Sequence, residues 1–269
     1  MRRPCIVILG SGAAMPSHER FTSTLLLLAL RSSVMLDVGE GAQIRLSRIG
    51  FSVTKINLVA ITHLHGDHFL GLYPLLQSRA LSMHGSGQFT NHQRLIVVSP
   101  EKTLCETLAN IPWIECRVAE HGAIISLNDC ALTPLRMSHG DIPSFGYLVE
   151  VFLDRNRRRS VKVFYGGDGV CTPDTIEYLK RSRVDVMILD SSFSALDVDK
   201  AIASNHSTAT QAALTARDVG ARILVLTHVS ARYSEADRES LISEARRFYS
   251  GMVIEARDFM VLPLWILNY

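Results

Sequence analysis

Four side chains able to bind a metal fall within six residues, in His63-Leu64-His65-Gly66-Asp67-His68. Imidazole and carboxylate groups suit zinc and similar first-row ions. An uninterrupted helix or strand would spread these residues over different faces, whereas a loop leaving a strand can turn them into one cavity. The run Asn57 to Ile61 reads as that strand, and Gly66 gives the turn its backbone freedom. More ligands lie downstream: His139 in Met137-Ser138-His139-Gly140, Asp168 in Gly166-Gly167-Asp168-Gly169, and His228 in Leu226-Thr227-His228-Val229. Each follows a predicted strand, at the end where loops from several strands converge. Singly they are ordinary loop residues; together they extend the first cluster into a ligand set for two ions.

The elements that must position them alternate along the chain. Periodicity predicts strands over 4–9, 22–30, 33–38, 57–61 and 95–98, with helices over 41–49, 69–83 and 101–110. The middle reads as β-rich, over 114–119, 123–126, 130–138, 145–153 and 161–166. Helices over 173–182, 207–219 and 235–249 then flank strands over 184–190 and 222–227, and short strands finish the chain. Two sets of strands with their helices predict an α/β fold, an αββα four-layer sandwich of two mixed sheets. No linker or repeat divides the sequence, so residues 1–269 are expected to form a single domain. The stretch from Leu81 to His92 reads as a mobile loop near the site, and Trp113 and Trp265 read as core.

The 269 residues are 47% hydrophobic, which excludes wholesale disorder, and a net charge of +2 is too small to diagnose nucleic-acid binding. Five cysteines without close pairing argue against a disulfide framework and for reduced, buried thiols. Ile6-Val7-Ile8-Leu9 ends at Gly10-Ser11-Gly12 and reads as a first strand rather than a signal peptide. Those glycines open no GxGxxG or GK[ST] nucleotide loop. No apolar run is long enough to span a bilayer. The expectation is a cytoplasmic protein that engages no membrane.

Beyond the ligands, the sequence carries Gly10-Ser11-Gly12-Ala13-Ala14-Met15-Pro16, Arg20, Asp37-Val38-Gly39-Glu40-Gly41, Pro143-Ser144-Phe145-Gly146-Tyr147, His206-Ser207-Thr208 and His228-Val229-Ser230-Ala231-Arg232-Tyr233. With these segments it resembles the metallo-β-lactamase superfamily, and more narrowly its ribonuclease Z branch of tRNA 3′-processing endonucleases. The HxHxDH motif belongs to the whole superfamily; the HST and HxSxRY segments are particular to that branch. The resemblance implies one zinc on His63, His65 and His139, a second on Asp67, His68 and His228, and Asp168 bridging both. Manganese or iron can occupy similar sites. Two metals about 3.5–4 Å apart activate a water and stabilise both oxygens of an in-line phosphoryl displacement. Asp67 could also orient that water. His206 matches the family's proton donor to the departing 3′-oxygen, a role suited to a group titrating near neutrality. The bland alternative is that His206 caps helix 207–219. The family positions that histidine with a glutamate, and this chain offers the shorter Asp190 instead.

The implied substrate is precursor tRNA, cut to leave a 3′-hydroxyl on the tRNA and a 5′-phosphate on the trailer, and the implied assembly is a homodimer. The family commonly grips tRNA with a flexible arm between the His139 and Asp168 segments. Here the tight link Asp154-Arg155-Asn156-Arg157-Arg158-Arg159-Ser160 stands in its place. Its arginines could meet phosphates, or the link could be a solvated hairpin turn. The missing arm keeps a second enzyme in view, a phosphodiesterase for small or cyclic phosphodiesters. A non-catalytic zinc domain binding RNA or protein is the reading from another class, disfavoured because every ligand and His206 are present.

Overall fold

The computed structural model describes residues 3–84 and 94–268, and in it two sheets pack face to face. The first runs β15 (Val261–Pro263), β1 (Cys5–Gly10), β2 (Thr24–Leu28), β3 (Ser33–Leu36), β4 (Leu58–Ala60), β5 (Leu95–Ser99), β6 (Ile114–Val118). The second runs β11 (Val170–Cys171), β8 (Cys130–Ser138), β9 (Phe145–Phe152), β10 (Ser160–Tyr165), β12 (Val186–Asp190), β13 (Ile223–Thr227), β14 (Met252–Glu255), with β7 (Ile125–Ser126) beside β8. Both sheets are mixed: β3 to β6, and β10 with β12, β13 and β14, pair in parallel, the rest antiparallel.

Strands buried on both faces read as continuous apolar runs, since alternate residues serve opposite layers. In β2, Leu25 and Leu27 face the second sheet, where Val149, Val163 and Ile188 complete the central layer. Leu26 joins the outer layer under α1 (Ala42–Arg48), α3 (Leu72–His84) and α4 (Lys102–Leu108). On the far side, Leu179, Ala213 and Leu241 of α5 (Pro173–Ser182), α7 (Ala209–Val219) and α8 (Glu235–Arg246) cover Leu224 and Leu226. The result is the αββα sandwich.

Local corrections have physical causes. The expected helix over 69–83 is two pieces, α2 (Gly66–Phe69) and α3, because the chain passes Gly39 closely at Gly71. A Cβ on Gly71 would lie 2.1 Å from the Gly39 carbonyl oxygen. Gly71→Ala is therefore expected to cost about 1–3 kcal/mol in urea unfolding, the range for overpacking; an unchanged midpoint would mean the contact relaxes freely. Residues Leu81 to His84 extend α3, and the remainder of the expected mobile loop lies outside the described residues. Cys105 and Cys116 form a disulfide, against the expectation of reduced thiols. Their Cα atoms are 5.2 Å apart because α4 packs on β6, a neighbourhood that an eleven-residue separation does not reveal. Trp113 is core, but Trp265 is 38% exposed, with the Arg3 guanidinium 4.6 Å from its ring centre. A further helix, α6 (Val198–Ala203), occupies a stretch with no predicted element. No helix among the described residues is long and apolar enough to cross a membrane.

Candidate metal centre

The C-terminal ends of β1, β3, β4, β8, β10, β12 and β13 meet along one edge of the sandwich, and every expected ligand stands there. His63 and His65 follow β4, and α2 begins at Gly66, which turns Asp67 and His68 back toward them. His139 follows β8, Asp168 follows β10, and His228 follows β13. His228 adopts φ 57°, a left-handed conformation uncommon for a residue with a Cβ, and so do few others, Asp37 at φ 59° among them.

Three four-residue groups result: His63, His65, His139 and Asp168; Asp67, His68, Asp168 and His228; and Asp168, Asp190, His206 and His228. Within each, the candidate ligand atoms lie within 4.8 Å of one another. Asp168 belongs to all three: Oδ2 faces His63 Nε2 at 3.7 Å, and Oδ1 faces His68 Nε2 at 3.2 Å and His228 Nε2 at 3.3 Å. Asp67 Oδ2 lies 3.2 Å from His228 Nε2.

Outer partners fix the imidazoles. The His68 Nδ1–H donates to Asp37 Oδ2 at 2.7 Å, His139 Nδ1–H to the Asn205 carbonyl at 2.8 Å, and His228 Nδ1–H to Ser192 Oγ at 2.8 Å. In each case the other nitrogen, Nε2, is left pointing inward with its lone pair, the arrangement that metal-binding histidines use. His68 Nε2 and Asp168 Oδ1 are buried and have no hydrogen-bond partner among the described residues. Two facing acceptors out of reach of water are costly unless a cation lies between them. The residues therefore fit a divalent metal.

The electrostatics agree. Burial pushes the His63 imidazole down to about 2, with His68 adding repulsion, so His63 is neutral and free to donate a lone pair. Burial lowers His65 in the same sense, helped by His139. Burial would raise Asp67, yet the facing imidazoles of His228 and His68 hold it well below the usual carboxylate range. Burial would likewise lower His68, but the charges of Asp168 and Asp37 outweigh it and raise its pKa, so a metal binds there in competition with a proton.

Beside the second group, His206 Nδ1 donates to Asp190 Oδ2 at 2.8 Å. Asp190 is short, but the backbone comes to meet it. The Gly169 and Ser207 N–H groups reach Oδ2 at 3.0 and 3.1 Å, and Ser192 supplies its N–H and Oγ–H to Oδ1 at 2.9 and 2.6 Å. Gly169 has φ 85°, and a Cβ there would lie 2.1 Å from the Ser138 carbonyl oxygen, so a side chain at this position is excluded. His206 does not cap α7. Thr208 is the N-cap of α7 and forms a capping box with Gln211. A cavity of ≈ 400 Å³ opens next to His206, walled by Met15, Phe193, His228 and Arg232, with the Arg232 guanidinium 4.7 Å from the Phe193 ring centre.

Asp37 is the residue whose role the sequence did not disclose. Besides His68 it accepts from Thr62 N at 2.7 Å, Thr62 Oγ1 at 3.0 Å and Tyr165 Oη at 2.8 Å, all within the buried floor of the site. Asp37→Ala is expected to weaken metal binding by about 10–100-fold, the usual cost of losing such a partner. Competition with a chelator would measure it; wild-type affinity would reduce Asp37 to a packing residue.

Comparison with known proteins supports the same picture. Residues 5–240 match the family model described as anti-Pycsar protein Apyc1. The ribonuclease Z of Pyrobaculum aerophilum is 33% identical over 261 residues, spanning 87% of this chain and 89% of that protein. Among solved structures, the short form of human tRNase Z is 26% identical with a TM-score of 0.71, covering 97% of this chain and 99% of that one. The metallo-β-lactamase fold protein YhfI from Bacillus subtilis superposes with a TM-score of 0.79 at 19% identity, covering 97% and 99%. The chain thus has the metallo-β-lactamase fold, is a metal-dependent hydrolase, and belongs to the ribonuclease Z family and to the family of the anti-Pycsar protein Apyc1 model.

Proposed function

We propose that the chain is a two-zinc phosphodiesterase that removes 3′ trailers from precursor tRNA and leaves a 3′-hydroxyl on the tRNA. The observation that carries this reading is the placement of His206, held by Asp190 beside two ligand groups that share Asp168. His63, His65, His139 and Asp168 would hold one metal, and Asp67, His68, His228 and Asp168 the other. When bound, the metals supply Lewis-acid activation of water and of the phosphate. Asp67 orients that water, and His206 gives its proton to the departing 3′-oxygen, which would otherwise leave as a poor alkoxide.

A second reading, hydrolysis of small or cyclic phosphodiesters, is favoured by the link between β9 and β10. Asp154 closes it by accepting the N–H groups of Asn156, Arg158 and Arg159, and the Arg157 guanidinium is taken by the Asn128 carbonyl at 2.8 Å. The link is a compact turn. It also lies at the end of β10 away from Asp168, about 20 Å along a six-residue strand, where only an extended substrate could reach it.

Metal-loaded protein incubated with a trailer-bearing precursor tRNA distinguishes the two. A single cut beside the discriminator, with a 3′-hydroxyl on the tRNA, is the expected result. An intact precursor alongside turnover of bis-p-nitrophenyl phosphate would transfer the assignment to small phosphodiesters.

A further inference from the structure

The strands that carry the site impose an order on what lies to either side of it. Along the second sheet, the strand ends run from β8 and β9, through β10 with Asp168, to β12 and β13 with Ser192 and His228. Along the first, they run from β5, through β4 and β3, to β1 and the Ala13–Met15 segment. The cavity beside His206 takes its walls from the β12, β13 and β1 side. A second cavity, ≈ 370 Å³, takes its walls from the β8, β9 and β5 side, including Arg136, Asp141, Pro143, Ser144 and Pro100. The metal-binding groups therefore stand between two cavities, and only one of them has the proton donor.

That asymmetry gives a substrate a direction. In hydrolysis the water oxygen joins phosphorus, the bond from phosphorus to the departing oxygen breaks, and His206 protonates that oxygen and regains a proton from the water. The departing nucleoside therefore lies on the His206 side. The phosphoryl group stays with the part of the substrate that extends the other way, into the second cavity.

The second cavity suits such a strand. The Arg136 guanidinium is exposed at its wall and has no hydrogen bond or ion pair among the described residues. Ser144 is 4% exposed, and its Oγ has no hydrogen-bond partner among the described residues. Pro143 and Phe145 add an apolar wall on which a base or sugar could rest. Asp141, on the same wall, is the opposing charge and limits how strongly an anion is held.

We propose that this cavity is the subsite for the phosphate-retaining strand, in which Arg136 pairs with the phosphate one nucleotide beyond the scissile one. The proposal rests on the phosphodiesterase reading with His206 as donor, and it names a substrate class: a phosphodiester carrying at least one further phosphate on the side that keeps the 5′-phosphate. The guanidinium offers a planar, bidentate match to that group.

Calorimetric binding to metal-loaded protein tests it without any turnover, using uridine 5′-monophosphate and uridine 3′,5′-bisphosphate as probes. The bisphosphate is expected to bind about 10-fold more tightly, the scale of one charge-assisted contact. In R136E the two probes should bind alike, and in D141N the gap should widen. Equal binding by the wild type, or a preference that survives R136E, overturns the subsite. Because no precursor is involved, a protein that cleaves no precursor tRNA but shows this preference loses the tRNA assignment and keeps the subsite. One that cleaves precursors without the preference loses the subsite alone.

Discussion

Replacing His206 by alanine is expected to leave metal content at its wild-type level and to slow phosphodiester cleavage by about 10²–10⁴-fold, the range for a general acid. The separation of the two readouts follows from position. His206 falls within ligand reach of Asp168, Asp190 and His228, but its Nδ1 is taken by Asp190 and it lies outside the two groups assigned to the metals. Burial alone would lower its pKa, but the hydrogen bond and charge of Asp190 outweigh burial and raise it. A general acid works in its protonated form, so activity should fall as pH rises through the His206 pKa, and a raised pKa delays that fall. Asp190→Asn removes the charge and should bring the fall to lower pH. A rate–pH profile whose alkaline limb stays in place in that variant would take Asp190 out of the proton-donor arrangement, and full turnover in His206→Ala would do the same for His206.

Asp168→Ala is expected to be the most damaging single change. Its two oxygens face His63 on one side and His68 and His228 on the other, so its loss opens both groups at once. If two ions are held as proposed, metal content should fall from two per chain to less than one, and activity below detection. His65→Ala, by contrast, opens only the group containing His139. Elemental analysis of both variants, with circular dichroism to confirm folding, separates the outcomes. Two tightly held ions in Asp168→Ala would remove it from the bridging position.

The parts of the site that could be read from the sequence are those whose chemistry is packed locally. Four ligand types in six residues need no tertiary information, and His139, Asp168 and His228 could be picked out because each ends an apolar run that reads as a strand. The sandwich was legible for the same reason: strands such as β2 and β13 bury both faces and leave unbroken apolar runs. What escaped was decided by approach between distant segments. Asp37 meets Thr62 and His68 only because β3 and β4 end side by side, and nothing in Asp37-Val38-Gly39 announces that partnership. The break at Gly71 depends on Gly39, and the Cys105–Cys116 bond depends on α4 resting against β6. The shortness of Asp190 could not be judged without seeing that Gly169 and Ser207 bring their N–H groups to it.

That crowding around Asp190 bears on how the chain can be recombined with its relatives. Its carboxylate is saturated by Gly169, Ser192, His206 and Ser207, which come from three separate segments. Inserting the glutamate that the resemblance leads one to expect would push the carboxylate one methylene into donors already in contact. The position is epistatic. Chimeras that exchange 166–169, 190–192 and 205–208 as one set carry the proton donor and its anchor intact, whereas a crossover between those blocks joins an anchor of one length to a backbone set for another.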